Sequence, residues 1–276
     1  MCYYPILALT PFRSSKFQEA HVVDRVLIQK MDNGDFTSPS NYIAWRGFDE
    51  RGIPFGFFTH ADLREGRVAL SPDVMIVGGT GTVRYALEKM GVLMPAIDDL
   101  PEPLAFLRGR KIWVSTLGQV QSQSEQLSTP IFIKPLRDRK AFTGRLVGAF
   151  RDILATVHLP DDMPVLVSEA VNFIAEWRFF ILKSEVIGAG CYKGDSRIFP
   201  DSSALDAAIA AWGSAAPSAY AIDLGVTDDR RTLLVEINDG YALGCLGLKP
   251  MQYSSFLETR WEELVLSINK QTGQDS

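Results

Sequence analysis

The chain has 276 residues, enough to bury a sizeable core and more than one domain usually holds, so we expect about two or three packed subdomains. A hydrophobic content of 46%, a charged content of 22% and a net charge of -5 are ordinary for a globular protein and argue against a dominant nucleic-acid surface. No apolar run approaches the ~18 residues of a membrane helix, and three cysteines without metal-ligand spacing fit a reducing, cytoplasmic setting.

The N-terminal part of the chain carries the signals of an α/β lobe. Apolar runs at residues 3–9 and 55–58 predict strands, whereas residues 24–30 fit a helix or a strand equally well. Residues 32–41 are rich in Asp, Asn, Gly, Ser and Pro and predict a surface loop. The run at 73–77 predicts a buried strand.

A glycine-rich turn at 78–82 (GGTGT) follows this strand and precedes a helical pattern over 83–90. Such a turn can bind an anion, because unpaired N–H groups point outward with the helix dipole behind them. It is not a Walker A loop, and Arg84 stands where a dinucleotide fingerprint needs its third glycine. A tight connection explains the turn equally well; if it binds a ligand, Thr80, Thr82 and Arg84 would meet an anionic or carboxylate substrate.

A proline-rich, acidic stretch at 97–103 predicts a linker. We therefore expect an N-terminal lobe at 1–100 and two further subdomains at 101–170 and 171–276. An amphipathic pattern over 254–269 predicts a closing helix.

The run 131–135 (IFIKP) predicts a strand that ends in a lysine. The ammonium of Lys134 would emerge at the strand's exit, which suits a phosphate, and the proline ends the ladder. Residues 136–147 then mix basic residues, Lys140 among them, with Thr143 and Gly144. A basic, glycine-containing hairpin can close over a polyphosphate and exclude water, although an ordinary exposed hairpin has the same composition.

Three further strands are predicted at 165–171, 175–182 and 186–192. Glu176 and Arg178 lie two apart among aromatic residues and therefore share a face. They form either a salt-bridged strand surface or a ribose-binding carboxylate beside a phosphate- or substrate-binding arginine.

Acidic residues interrupt the apolar strands of a hairpin predicted over 219–240. Asp223 lies in its first strand, and Glu236 and Asn238 lie two apart in the second, so both point to one face. Hard oxygen ligands with no His or Cys nearby suit Mg²⁺, which bridges carboxylates to substrate phosphates. A hairpin with a solvated acidic edge is the alternative.

Taken in order, these motifs resemble the ATP-grasp superfamily of carboxylate-amine ligases over residues 105–265, preceded by a lobe similar to its pre-ATP-grasp domain. The order comprises FIKP, a lid, VSEAV, a second glutamate, an aspartate and E-x-N. The spellings FIKP, EWRFF and EINDGYALG are most similar to a clade, mostly from bacterial and phage genomes, named for a paired-arginine and lysine signature. The resemblance implies an α/β (α+β) protein with the ATP-grasp fold, a pre-ATP-grasp α/β lobe and two ATP-binding subdomains.

The resemblance also implies roles for individual residues. Lys111, Lys134 and Lys193 would bind the phosphates of the nucleotide, and Lys140, Thr143 and Gly144 would form the lid over it. The adenine would contact Glu169, Ala170 and Val171, and the ribose would contact Glu176. Asp223, Glu236 and Asn238 would ligate one or two Mg²⁺ ions, and Arg178 would neutralise the transferring phosphoryl group or the substrate carboxylate.

Three features depart from the family pattern, and one of them is that the family's first phosphate-binding lysine has no firm match besides the candidate Lys111. Ala221 replaces an arginine often found two residues before the metal aspartate, so Arg178 or Arg197 would take its part in catalysis. Asp239, Gly240 and Tyr241 replace the usual Pro-Gly after E-x-N and would shape the acceptor pocket.

The implied reaction joins a carboxylate to an amine through an acyl phosphate, with ATP and Mg²⁺ as cofactors and a small-molecule or peptide carboxylate and an amine acceptor as partners. Two alternatives keep the fold: an ATP-dependent kinase of a small molecule and a non-catalytic nucleotide-binding module. A dinucleotide oxidoreductase based on residues 78–81 ranks last. We expect no nucleic-acid or membrane partner, and the oligomeric state is left open.

Overall fold

The computed structural model describes residues 23–95, 98–136 and 141–272. Within them the chain forms one three-stranded and two four-stranded β-sheets. The strand predicted at 3–9 and the lid residue Lys140 lie outside the described residues. No helix in this part of the chain combines the length and the apolar character needed to cross a membrane.

The N-terminal lobe is a parallel sheet flanked by helices, with strand order β2-β1-β3. Residues 24–30 are resolved in favour of a strand, because alternate side chains such as Val26 and Ile28 are fully buried. The elements are β1 (Arg25–Lys30), α1 (Pro39–Glu50), β2 (Phe55–Thr59), α2 (His60–Arg64), β3 (Val74–Val77) and α3 (Thr80–Lys89).

Two helices of the lobe begin inside segments for which the sequence predicts a loop or a turn. α1 begins at Pro39, inside the predicted loop, because Ser38 caps its N-terminus and proline suits the first turn. α3 begins at Thr80 instead of residue 83, so the glycine-rich turn supplies its first turn. Thr and Gly are poor helix formers, so the sequence did not indicate that the helix begins at Thr80. The side-chain oxygen of Gln29 accepts a hydrogen bond from the Thr82 hydroxyl at 2.9 Å and supports the turn.

Two antiparallel sheets follow, and both confirm the predicted strands. The first has the order β4-β7-β5-β6 and the second the order β11-β10-β8-β9. The elements of the first are β4 (Ile112–Thr116), α4 (Leu117–Gln123), β5 (Ile131–Pro135), β6 (Arg145–Val147) and β7 (Pro164–Glu169). Those of the second are β8 (Phe173–Leu182), β9 (Glu185–Gly194), α5 (Ser202–Trp212), β10 (Ala219–Thr227) and β11 (Thr232–Asp239), and α6 (Pro250–Thr272) closes the described chain.

The two faces of the second sheet have different surroundings. Phe179, Ile181 and Ile222 pack beneath α5 and the turn Glu102–Leu107. On the opposite face, Phe180 and Ala221 join the core of the N-terminal lobe. The rest of that opposite face carries the polar residues that the sequence singled out.

The closing helix α6 belongs to the core of the N-terminal lobe. Its Phe256 and Trp261 are fully buried in the same cluster as Val26 and Phe48. Gly47 of α1 permits this approach, because a Cβ there would lie 2.0 Å from the carbonyl oxygen of Pro250. The mixture of helices and sheets confirms the expected α+β class, whereas the subdomain boundaries after residues 100 and 170 stay predictions.

Candidate active site

The two antiparallel sheets enclose a cavity of about 250 Å³, which we call the nucleotide cavity. Its charged lining consists of Arg110, Lys134, Glu169, Glu176, Lys193 and Glu236. Its apolar lining includes Leu100, Ile112, Phe132, Leu146, Leu166, Val171, Phe173 and Val235. Most of the charged residues were predicted from the sequence, whereas most of the apolar ones were not, because an apolar strand residue carries no mark of which cavity it faces.

The three predicted metal ligands meet on β10 and β11. Asp223 lies directly opposite Glu236 in the antiparallel ladder. The side-chain nitrogen of Asn238 donates to Asp223 Oδ2 at 3.2 Å and to Glu236 Oε1 at 3.4 Å. The period-2 geometry of β11 therefore places the oxygen-bearing side chains together, as the sequence predicts.

Arg178 holds the innermost carboxylate. It lies opposite Asp223 across the β8–β10 ladder, and its Nε and Nη2 donate to the two Asp223 carboxylate oxygens at 2.8 and 2.7 Å. Burial raises the pKa of Asp223, which is 1% exposed, although the Arg178 guanidinium opposes this rise. Burial acts to lower the pKa of Arg178, but the hydrogen bonds and charge of Asp223 outweigh it and hold that pKa above its ordinary value. The bidentate pair thus opposes the cost of burying the Asp223 carboxylate.

Lys134 lies between two carboxylates. Its Nζ is 3.1 Å from Glu236 Oε2 and 2.5 Å from Asp99 Oδ2. Asp99 comes from the predicted linker, and its carbonyl oxygen accepts a hydrogen bond from the Ile237 amide at 2.8 Å. No sequence pattern indicates this role, because an acidic residue in a proline-rich linker is normally solvated.

Glu176 and Lys193 form the third charged group of the cavity, and Tyr192 precedes Lys193 on β9. The ammonium of Lys193 pairs with the buried carboxylate of Glu176. Tyr192 was not predicted as a site residue. Burial, together with the charges of Asp223 and Glu176, raises the pKa of its hydroxyl.

Arg110 lines the cavity, while its predicted neighbour Lys111 does not appear in the lining. The Arg110 guanidinium donates to the Leu234 carbonyl oxygen at 2.8 Å, and burial lowers its pKa. Lys111 is exposed, and its ammonium lies 5.6 Å from the Trp113 ring centroid. Its amide donates to Glu169 Oε2 at 2.8 Å.

Several other predicted residues lie away from the cavity lining. Thr143 and Ala170 are exposed, and Gly144 packs on Phe132, where a Cβ would lie 2.6 Å from the ring. Arg197 is 87% exposed and pairs with Asp195 at 2.7 Å. Their functional roles stay predictions.

A second cavity of about 220 Å³ lies where the N-terminal lobe meets the end of β11, and we call it the acceptor cavity. The predicted substrate residues Thr80, Arg84, Asp239 and Tyr241 line it, together with the metal-ligand candidate Asn238. The sequence missed the remaining lining, which includes Met94, Asp98, Trp212, Tyr220, Ile237, Leu243 and Arg260. These residues come from separate helices, strands and loops that no local motif connects.

Arg260 and Asp239 form the buried polar wall of the acceptor cavity. Nε and Nη2 of Arg260 donate to the two Asp239 oxygens at 2.7 and 2.6 Å, and Nη1 donates to Glu263 at 2.7 Å. Burial acts to lower the pKa of Arg260, but Asp239 and Glu263 outweigh it, so the pKa is raised. The positive charge of Arg260 and the negative charges of Asp239 and Glu263 therefore offset one another within this wall.

Two predicted substrate residues occupy other positions. Thr82 lines an open cleft at the N-terminus of α3, which Thr80 also lines. Gly240 is buried, and a Cβ there would lie 2.5 Å from the carbonyl oxygen of Ala219, so its small size serves packing.

The donor set fits a magnesium ion. Two carboxylates and one amide from adjacent strands supply hard oxygen atoms, and Mg²⁺ commonly completes its shell with water and substrate phosphates. Among the described residues, no group of three or more His, Cys, Asp and Glu side chains is arranged to hold a metal, and the predicted set includes the amide of Asn238 beside its two carboxylates.

Solved structures with the same fold include several proteins named as ligases or synthetases. D-cycloserine synthetase DcsG matches with a TM-score of 0.59 at 12% identity, over 86% of this chain and 99% of its own. D-alanyl-alanine synthetase A of Vibrio cholerae matches with a TM-score of 0.54 at 13% identity, over 90% of this chain and 100% of its own. D-alanine–D-alanine ligase of Bacillus anthracis matches with a TM-score of 0.52 at 13% identity, over 90% and 98%. At such low identity these likenesses show the fold alone.

No curated protein matches the chain in sequence. The family described as an ATP-grasp domain, family 2 of the R-two-K clade, matches residues 107–256, which is more than half of the chain and contains β4 to β11 and, apart from Leu100, the residues that line the nucleotide cavity. The expected fold is thereby confirmed, and the protein belongs to the ATP-grasp domains, in family 2 of that clade.

Proposed function

We propose that the protein is an ATP-dependent carboxylate-amine ligase that forms an amide or peptide bond through an acyl phosphate and releases ADP and phosphate. One observation carries this proposal: β11 stands between two cavities. Glu236 lines the nucleotide cavity, and Asn238, two residues further along the same face, lines the acceptor cavity. A group transferred from nucleotide to acceptor would therefore pass the candidate metal ligands.

The nucleotide cavity suits ATP in shape and charge. Its apolar lining can hold a purine ring, and the Glu176 carboxylate can accept hydrogen bonds from ribose hydroxyls. Lys134, Lys193 and Arg110 supply cations for the phosphates. The roles of Lys111, Glu169, Ala170, Val171 and the lid residues Lys140, Thr143 and Gly144 in this binding are part of the same proposal.

Asp223, Glu236 and Asn238 would hold magnesium. When bound, Mg²⁺ supplies charge neutralisation for the phosphates of the nucleotide. Arg178 fixes Asp223 from the neighbouring strand and would thereby take the part of the arginine missing at position 221. Its guanidinium is also the group best placed to neutralise charge on the transferring phosphoryl group.

The reaction then needs the two substrates to meet at β11. The substrate carboxylate attacks the γ-phosphorus of ATP, giving an acyl phosphate and ADP, and the amine attacks the acyl carbon and expels phosphate. The acceptor cavity would place these substrates, with Thr80, Arg84, Asp239 and Tyr241 as contacts. The sheets exclude water, which protects the acyl phosphate from hydrolysis. Because the reaction consumes ATP, we place it in the cytoplasm.

The test is a screen for ADP release over pairs of small carboxylates, peptides and amines, with Mg²⁺ present. We expect release that requires both a carboxylate and an amine and a product with a new amide bond, detected by mass spectrometry. Glu236→Gln should reduce ADP release by about 10²-fold, whereas Glu185→Gln, at the exposed start of β9, should not change it.

Two outcomes would replace the proposal. ADP release with a hydroxyl substrate and no amine would identify a kinase. Binding of MgATP with no turnover over the whole screen would identify a nucleotide-binding module.

A further inference from the structure

The linker that leads from the N-terminal lobe to β4 passes beside β11 and touches both cavities. Asp98 lines the acceptor cavity and Leu100 lines the nucleotide cavity, so Asp99 lies between the two. On β11, Asn238 lines the acceptor cavity and Glu236 lines the nucleotide cavity. The linker therefore passes the candidate metal ligands at the point where the two cavities are closest in sequence.

Backbone hydrogen bonds fix this part of the linker. β11 is an edge strand of its sheet, and the amide of Ile237 donates to the Asp99 carbonyl oxygen at 2.8 Å. The Leu100 amide donates to Asp98 Oδ1 at 3.1 Å, and the Leu100 carbonyl oxygen accepts a hydrogen bond from Arg108 Nη2 at 2.5 Å. Because the backbone is held at Asp99 and at the next residue, the Asp99 carboxylate has a defined place.

That carboxylate shares one ammonium group with a candidate metal ligand. Lys134 Nζ lies 2.5 Å from Asp99 Oδ2 and 3.1 Å from Glu236 Oε2. The side chains of Asp99, Lys134 and Glu236 are 14%, 19% and 29% exposed, so water and salt screen these charges only in part. The contact with Asp99 is the shorter of the two, and the ammonium is therefore drawn away from Glu236.

We propose that Asp99 is a positioning residue that holds Lys134 away from Glu236 and so leaves the Glu236 carboxylate able to bind Mg²⁺. This inference rests on the proposed nucleotide and metal site. Lys134 and the metal ion compete for Glu236, because the ammonium contacts an oxygen of the carboxylate that would ligate the ion. Without the charge of Asp99, Lys134 pairs with Glu236 alone, and the ion has to displace it.

Asp99→Asn tests the inference, because it removes the charge and keeps the size of the side chain. The probe is ADP, titrated by calorimetry into the protein at a series of Mg²⁺ concentrations. Loss of a group that positions a metal ligand costs about 10- to 100-fold in metal affinity, and we expect D99N to need about tenfold more Mg²⁺ for half-maximal ADP binding. Its ADP affinity at saturating Mg²⁺ should stay close to the wild-type value.

Asp206→Asn is the matched control. It makes the same chemical change on an exposed residue of α5 that lines neither cavity, so D206N should show the wild-type Mg²⁺ dependence.

The same change in a Lys134→Ala background shows whether the effect passes through Lys134. Arg110 and Lys193 still supply cations to the cavity there, so ADP binding is measured at a raised ADP concentration. We expect Asp99→Asn to leave the Mg²⁺ dependence of this background unchanged, because no ammonium remains to compete for Glu236. An effect of equal size in both backgrounds would overturn the inference, since it would show only the loss of a negative charge near the ion.

An unchanged Mg²⁺ dependence in D99N would also overturn the inference. If the melting temperature falls at the same time, Asp99 serves the packing of the linker instead. Failure of the wild-type protein to bind ADP at any Mg²⁺ concentration would refute the proposed function, whereas the two outcomes above leave it standing.

Discussion

The nucleotide cavity and the acceptor cavity share strand β11 but are built in different ways. The nucleotide cavity takes most of its charged residues from strands, where alternation fixes the direction of every second side chain. The acceptor cavity takes its lining from β10 and β11 and also from α3, α5, α6 and the loop residues beside them. Under the proposed function, strands thus position most of the charged nucleotide-binding residues, whereas the residues that would contact the substrates come largely from distant segments.

Lys134→Ala should give the largest effect on activity, and it tests the nucleotide cavity. The change removes the cation between Asp99 and Glu236, so both carboxylates lose their charge partner and the phosphates lose a contact. We expect ADP release to fall by about 10²-fold, measured under saturating acceptor. Lys249→Ala, on an exposed lysine before α6, is the control. An unchanged rate in Lys134→Ala would contradict the assignment of the nucleotide cavity.

Arg178→Ala and Arg260→Ala each remove the arginine of one ion pair. The first pair is Arg178–Asp223 at the candidate metal site, and the second is Arg260–Asp239 at the acceptor cavity. Removal of one partner from a buried pair costs about 3 kcal/mol, and Asp223 is 1% exposed whereas Asp239 is 25% exposed, so Arg178→Ala should be the more destabilising. Urea unfolding measures the difference. Only Arg178→Ala should also change the Mg²⁺ dependence of ADP binding; the same change in Arg260→Ala would show that the two cavities are not separate.

Arg84→Ala should act on the acceptor side alone. Arg84 is 46% exposed and pairs with Glu88, so its contribution is small and we expect the KM of the acceptor substrate to rise by about threefold while ADP binding stays constant. Arg46→Ala removes an equivalent pair with Glu50 on α1, far in sequence from either cavity lining, and should leave KM unchanged. Weaker binding of ADP to the Arg84→Ala variant would contradict the assignment of Arg84 to the acceptor cavity alone.

Asp62→Asn should give the smallest effect and touches neither cavity. The amide of Thr59 and the side chains of Arg67 and Thr59 lower the pKa of Asp62 from 3.8 to about 2. Because the folded-state pKa is depressed, the stabilisation is present above pH ~4 and is lost as the pH falls from about 4 to about 2. The difference in melting temperature between wild type and Asp62→Asn should therefore be present at pH 7 and absent near pH 2. A difference that grows toward low pH would contradict this sign.

The difference between residues on strands and residues from distant segments also explains which site residues the sequence could predict. Asp223, Glu236 and Asn238 were found because acids inside apolar strands are conspicuous and period 2 fixes their face. Asp99, Tyr192 and Arg260 were missed for separate physical reasons. Asp99 lies in a linker, Tyr192 reaches the site beside a bulge that breaks alternation, and Arg260 reaches its cavity from a helix assigned by pattern only to packing. Tertiary contacts between distant segments leave no local pattern.

The packing of α6 has a consequence for how the molecule is made. Trp261 donates a hydrogen bond to the Pro72 carbonyl oxygen across 189 positions of sequence, and Arg51 pairs with Glu258 across 207. During synthesis the N-terminal lobe emerges first, but part of its core arrives only after both antiparallel sheets have been translated. Such long-range closure slows folding and leaves apolar surface exposed in the meantime. The lobe that contributes Thr80 and Arg84 to the acceptor cavity is therefore begun before the two antiparallel sheets and completed after them.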